Sequence, residues 1–123
     1  MQQKNQIEKE EKSVDNVKIV SKELSLSDFE IKGTVLIKYK GEAKEVVIPS
    51  CVREIGESAF SECYSLERVV IHNSVTCIHD WAFYNCSNTL IVEYEGAAVD
   101  WRNIVVGTNN DTLYSCTINY YNA

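Results

Sequence analysis

Residues 47–63, VIPSCVREIGESAFSEC, return 23 positions later as VIHNSVTCIHDWAFYNC at residues 70–86, with seven of the 17 aligned positions identical. The identities are Val47/Val70, Ile48/Ile71, Val52/Val75, Ile55/Ile78, Ala59/Ala82, Phe60/Phe83 and Cys63/Cys86, while the polar positions between them have drifted. A repeated apolar frame with variable surroundings is the signature of a solenoid, in which each short unit buries its apolar edge against the next. Such a stack leaves one broad variable face suited to holding a partner.

The same pitch extends beyond the two copies. Leu66, Val69, Ile71, Val75 and Ile78 correspond to Ala43, Val46, Ile48, Val52 and Ile55 upstream and to Thr89, Val92, Tyr94, Ala98 and Trp101 downstream. The expectation is a β-rich solenoid, α+β by content, of about three 23-residue coils near 43–65, 66–88 and 89–105. GESAFSEC and HDWAFYNC are read as short helical turns, with Phe60 and Phe83 plugging the core and Trp101 in the core of the third coil. Val35–Tyr39 and Glu45–Ile48 flank a Gly-containing connection and predict an N-terminal hairpin. The tail after GTNND loses the pitch and predicts a terminal strand. One domain over 17–123 is expected, with caps at 17–42 and 106–123 and a flexible, polar segment at 1–16.

Charge narrows the partners. The chain carries a formal −6. Residues 43–105 hold four basic and nine acidic side chains, so the acidity belongs to the repeats. Nucleic-acid affinity comes largely from neutralising phosphates, so direct nucleic-acid binding is not expected and the anticipated partner is another protein. No run approaches the roughly 18 apolar residues of a membrane span, and no insertion is expected. The opening MQQKNQIEKEEKSVDN lacks the apolar core of a secretory signal. This predicts a cytoplasmic location if Met1 is the native start, and a secreted or cell-surface one if a signal was removed. Oligomeric state is left open.

Five cysteines, Cys51, Cys63, Cys77, Cys86 and Cys116, include no CxxC pair, so neither a metal site nor a cofactor is predicted from their spacing. Cys77 and His79, followed by Asp80, are a conceivable thiol–imidazole pair. No separate third group is visible beside them, and the position of Cys77 in the preceding copy is Glu54, a surface site; no catalytic residue is assigned and the protein is not expected to be an enzyme.

The pattern V-x-I-P-x-x-V-x-x-I-G-x-x-A-F-x-x-C, read from Val46 to Cys63, resembles the BspA-type leucine-rich repeat of bacterial surface proteins and some protists. The second copy, Val69 to Cys86, has His72 in place of Pro and His79 in place of Gly. The similarity covers about residues 28–120, and it implies a ligand-binding or adhesive solenoid with no catalytic residues.

Strand alternation then locates a face. If Val46, Ile48, Val69 and Ile71 point inward, Glu45, Val47, Pro49, Arg68, Val70 and His72 point outward, joined in the third coil by Ile91, Glu93 and Glu95. These nine positions, with Trp81 on an outer turn as a further anchor, form the predicted partner-binding set. The leading expectation is a protein-binding repeat module. The alternatives are a small acidic regulator occupying a basic, even nucleic-acid-binding, surface of its target, and a fragment of a cell-surface adhesin.

Overall fold

The computed structural model describes residues 28–121. The segment 1–16 and residues 17–27 of the expected N-terminal cap lie outside the described residues. Along the chain run β1 (Phe29–Lys32), β2 (Val35–Tyr39), β3 (Glu45–Val47), β4 (Glu54–Ile55), β5 (Arg68–His72), β6 (Cys77–Ile78), β7 (Ile91–Glu95), α1 (Ala98–Arg102), β8 (Val105–Val106), α2 (Thr112–Ser115) and β9 (Thr117–Tyr120). They form a five-stranded sheet in the order β1-β2-β4-β6-β8 and a four-stranded sheet in the order β3-β5-β7-β9. Apart from the antiparallel β1–β2 pair, every pairing is parallel. Each turn of the chain therefore contributes one short strand to the first sheet and one to the second, which is the geometry of a solenoid.

Alternation decides what is inside. Val46, Ile48, Val69, Ile71, Val92 and Tyr94 are buried from the four-stranded sheet; Leu36, Ile55 and Ile78 are buried from the five-stranded one. Where the chain crosses between sheets, an aromatic ladder fills the interior. Phe29 packs on Tyr39 with ring centroids 5.2 Å apart, Tyr39 on Phe60 at 5.4 Å, and Phe60 on Phe83 at 5.1 Å and only 4° from parallel. The two phenylalanines thus plug the core as expected. Their segments are not helical turns, however, but runs of tight turns. Ser58 and Glu62, and their counterparts Trp81 and Asn85, adopt positive φ near 60°. That breaks any helix after one turn.

Two expectations about the ends are corrected. Val35–Tyr39 and Glu45–Val47 are not a hairpin: they lie in different sheets, as successive sides of one coil. The true hairpin is β1–β2, turned at Gly33, whose φ of +64° suits glycine. The tail does hold the expected terminal strand, β9, but as a further member of the array rather than a cap laid over it. β9 pairs in register with β7, Ile91 opposite Thr117 and Tyr94 opposite Tyr120, and β8 pairs with β6. The array thus has four parallel rungs in each stack (β2, β4, β6, β8 and β3, β5, β7, β9), against an expected three coils.

The pitch seemed to disappear because contour length changed while the rungs did not. Glu54 to Cys77 is 23 residues, but Cys77 to Val105 is 28, and the extra five match the length of α1. Val106 rather than Trp101 therefore continues the Ile55–Ile78 column. Trp101, half-buried in α1, packs edge-on against Tyr94 at 5.1 Å. Leu90, not Thr89, takes the buried position of Leu66.

Candidate protein-binding face

The outer surface of the four-stranded sheet is built from register-matched columns. Glu45, Arg68, Ile91 and Thr117 form one; Val47, Val70, Glu93 and Asn119 form the next. His72 and Glu95 pair in a third, which Pro49 precedes in sequence and Tyr121 extends through a hydrogen bond from its backbone N–H to Tyr94 O at 2.8 Å. The predicted grid is therefore brought together on one surface. It also has a fourth row, Thr117, Asn119 and Tyr121, which the tail contributes.

Two predicted positions differ from expectation. Glu93 points outward but is 7% exposed, because side chains from both flanking strands close over it. Arg68 Nη1 is ion-paired with Glu93 Oε2, and Asn119 Nδ2 donates to Glu93 Oε1 at 3.3 Å. Arg68 also faces Glu45, with Nε 3.8 Å from the carboxylate. Trp81 does not join the grid: it lies on the turns leading out of the five-stranded sheet. It is 39% exposed, with its ring 4.5 Å from that of Tyr84 and its backbone at φ 66°. For a bulky side chain that conformation is unusual.

The rest of the surface is as alternation requires. Val47 is 43% exposed, Val70 and Ile91 are half-buried, and Glu45 and Glu95 are exposed. His72 Nδ1 lies 2.6 Å from Glu95 Oε1. At the head of the first column an open depression of about 280 Å³ lies between Glu45, Glu67, Arg68, Thr89 and Ile91. The face thus sets two apolar groups, Val47 and Val70, in one column with the buried Glu93 and beside the carboxylates of Glu45, Glu67 and Glu95 and one guanidinium. The guanidinium is already engaged by Glu93.

Asn110 is the structurally decisive residue that sequence reasoning missed. The corner ladder runs from Tyr39 N–H to Ala59 O, and from Phe60 N–H to Ala82 O; at the next step Phe83 N–H donates instead to Asn110 Oδ1 at 2.9 Å. Asn110 is 1% exposed, and its Nδ2 donates to the carbonyls of His79, Gly107 and Thr108. A side-chain amide thus takes over from a backbone carbonyl where the repeat stops. Its only signal in sequence was an Asn in a turn-rich run.

On the other sheet, the pair Cys77 and His79 does have a third neighbour, Glu54, contrary to the reading from sequence. Asp80 takes no part, since its carboxylate accepts from Thr108 N–H at 2.8 Å. Burial first, and then the Glu54 carboxylate, push the Cys77 thiol above its ordinary value. That is the opposite of what a thiolate nucleophile requires. All five cysteines are free; Cys86 is buried and its thiol donates to Phe60 O at 3.0 Å.

The two stacked, mostly parallel sheets and the short recurring coil make a β-rich repeat fold. Residues 30–117 match the family model described as BspA type leucine rich repeat region (6 copies), and the chain belongs to that family. No curated protein and no solved structure matches it. Repeats of this family generally mediate protein interactions or adhesion and are generally non-enzymatic. Among the described residues no helix is long and apolar enough to cross a membrane.

Proposed function

We propose that this protein is a non-enzymatic binding module that holds another protein against the outer face of its four-stranded sheet. The observation that carries this reading is the composition of that face. Exposed Val47 and half-buried Val70 sit side by side on neighbouring strands in its middle column, and the polar side chains beside them are tied down as Arg68–Glu93 and His72–Glu95 pairs. Apolar groups flanked by ordered polar ones match the anatomy of a protein interface, and immobilised side chains lose little entropy on docking.

The test is the variant Val47→Asp, at the exposed valine, which is not a register neighbour of Glu93. Proteins recovered from host lysate on the immobilised full chain are compared with those recovered on the variant, and the partner so found is then titrated by calorimetry. Loss of that partner, with unfolding free energy kept within about 0.5 kcal/mol, supports the face. Retention of the partner moves the interface elsewhere.

A second reading, an acidic regulator that covers a basic surface of its target, is favoured by the rim. Glu45 and Glu67 border the depression, and the one guanidinium there, Arg68, is shared between Glu93 and Glu45. Ionic strength separates the two readings, because an apolar contact survives salt whereas attraction between exposed charges is screened beyond about 8 Å at physiological ionic strength.

A further inference from the structure

The outer surface of the five-stranded sheet carries a second, chemically different constellation. Glu54 on β4 and Cys77 on β6 are register partners, and His79 lies two residues beyond Cys77, hence on the same side of the sheet. His79 Nε2 stands 2.7 Å from Glu54 Oε1 and 3.5 Å from Cys77 Sγ, and the three atoms all lie within 4.8 Å of one another. A carboxylate, an imidazole and a thiol thus converge on one small space, the donor set of a borderline divalent metal. We propose that Glu54, Cys77 and His79 form a zinc-class metal site that joins the second and third strands of the parallel stack.

The geometry is close to what the ion demands. A tetrahedral zinc with Zn–S about 2.3 Å and Zn–N about 2.0–2.1 Å holds its sulfur and nitrogen about 3.5–3.6 Å apart. The Cys77–His79 separation already equals this. The carboxylate has to withdraw by about 0.6 Å to reach the corresponding oxygen–nitrogen edge of about 3.3 Å. Its side chain is 40% exposed and free to turn, and that of His79 is 44% exposed, so the space opens to solvent.

The backbone beneath is fixed, as a binding site requires. His79 N–H donates to Ile55 O at 2.9 Å, and His79 O accepts from the buried Asn110 amide at 3.0 Å. In the outward column His79 stands between Gly56 and Gly107, one step on from the paired Ile55, Ile78 and Val106. Neither flanking residue has a side chain of its own, and the Asp80 carboxylate takes the space beside Gly107. His79 occupies the repeat position that is glycine in the first copy, so the site arises where the second copy departs from the pattern. Three protein ligands leave the fourth position for water or for a donor from a bound partner.

The probe is the metal alone. The reduced, metal-free full chain is titrated with Co²⁺, which reports a thiolate ligand by a charge-transfer absorption, and the cobalt is then displaced with Zn²⁺. Expected are one equivalent bound, an absorption band absent in Cys77→Ser but kept in Cys51→Ser, and a melting temperature that rises with Zn²⁺ concentration. Glu54→Gln and His79→Gln each weaken Zn²⁺ binding by at least the roughly 10- to 100-fold that loss of an outer-shell partner costs. All three side chains face outward, so these variants should keep the wild-type circular dichroism. If Cys77→Ser alone misfolds, the other two decide. No binding at micromolar Zn²⁺, a cobalt band that survives Cys77→Ser, or affinity unchanged in Glu54→Gln and His79→Gln overturns the site.

Discussion

The first and last parts of the array solve the same stacking problem with different chemistry. From β4 to β7 the coils keep a 23-residue pitch, and their corners are held by a repeated Phe and a repeated backbone ladder. In the final coil the pitch stretches to 28 in one sheet and 26 in the other, the Phe is gone, and a buried asparagine supplies the missing carbonyl. What the solenoid conserves is the rung, the register of short parallel strands. The length and content of the corners vary freely as long as each inward group finds a partner.

The sharpest way to break the regular half is Phe83→Ala. Phe83 is fully buried at the end of the aromatic ladder, and its removal leaves a cavity the stacked coils cannot close. An unfolding free energy lower by roughly 3–5 kcal/mol is expected in urea denaturation. A loss below about 1 kcal/mol would contradict the packing described.

The irregular half has its own weak point in Asn110. Asn110→Ala strips the acceptor from Phe83 N–H and the donor from His79 O, both inside the fold, and should cost roughly 2–4 kcal/mol on ordinary penalties for unsatisfied buried groups. Asn110→Asp keeps the acceptor but turns a buried carboxylate oxygen toward the carbonyls of His79, Gly107 and Thr108, so at neutral pH it should destabilise at least as much as Asn110→Ala.

How much of this was legible depended on how far each signal reached along the chain. Alternation at Val46, Ile48, Val69 and Ile71, and the recurrence of Phe60 as Phe83, are local or strictly periodic, and they located the four-stranded sheet and the ladder. The two-residue strands Glu54–Ile55, Cys77–Ile78 and Val105–Val106 are too short to alternate, so the second sheet's one trace in them was the recurrence of Ile55 at Ile78. The hairpin was misplaced because Gly41 resembles a turn residue. In the fold Gly41 is a corner with no room for a side chain, where an added Cβ would meet Tyr39 Oη at 2.5 Å. Glu93 was correctly placed outward, but its burial comes from Arg68 and from Asn119, a residue of the row that the pitch seemed to have lost. Likewise Glu54 joins Cys77 and His79 across 23 residues, a distance that a search for closely spaced ligands does not cover.

Alkaline pH probes the buried thiols of the regular half. Burial pushes Cys86 from its ordinary value near 9 up to about 11, and the thiols of Cys63, Cys77 and Cys116 and the phenols of Tyr39 and Tyr94 are raised for the same leading reason. Between pH 9 and 11 the unfolded chain loses the Cys86 proton and the folded chain keeps it. Stability is therefore complete below pH 9 and falls as pH rises toward 11, by about 3 kcal/mol for Cys86 alone. Denaturation in reductant at pH 8.5 and 10.5 measures the decline, and Cys86→Ala should remove the largest share of it.

The smallest effect separates stability from recognition on the candidate face. Arg68 is 39% exposed at its side chain, while Glu93, which it neutralises, is 9% exposed. Arg68→Ala leaves that carboxylate with the Asn119 amide as its remaining polar contact, and a loss of about 1–3 kcal/mol is expected. Reversal to Arg68→Glu places a third carboxylate beside Glu45 and Glu93 and should cost more, so it is a poor test of binding by itself. Pairing Arg68→Ala with Glu93→Gln resolves the ambiguity. If the pair is chiefly an internal clasp, the double variant recovers most of the lost stability and still binds the partner. If Arg68 instead contacts the partner, stability returns while affinity does not, and the guanidinium must then exchange Glu93 for an acidic group on the partner when the complex forms.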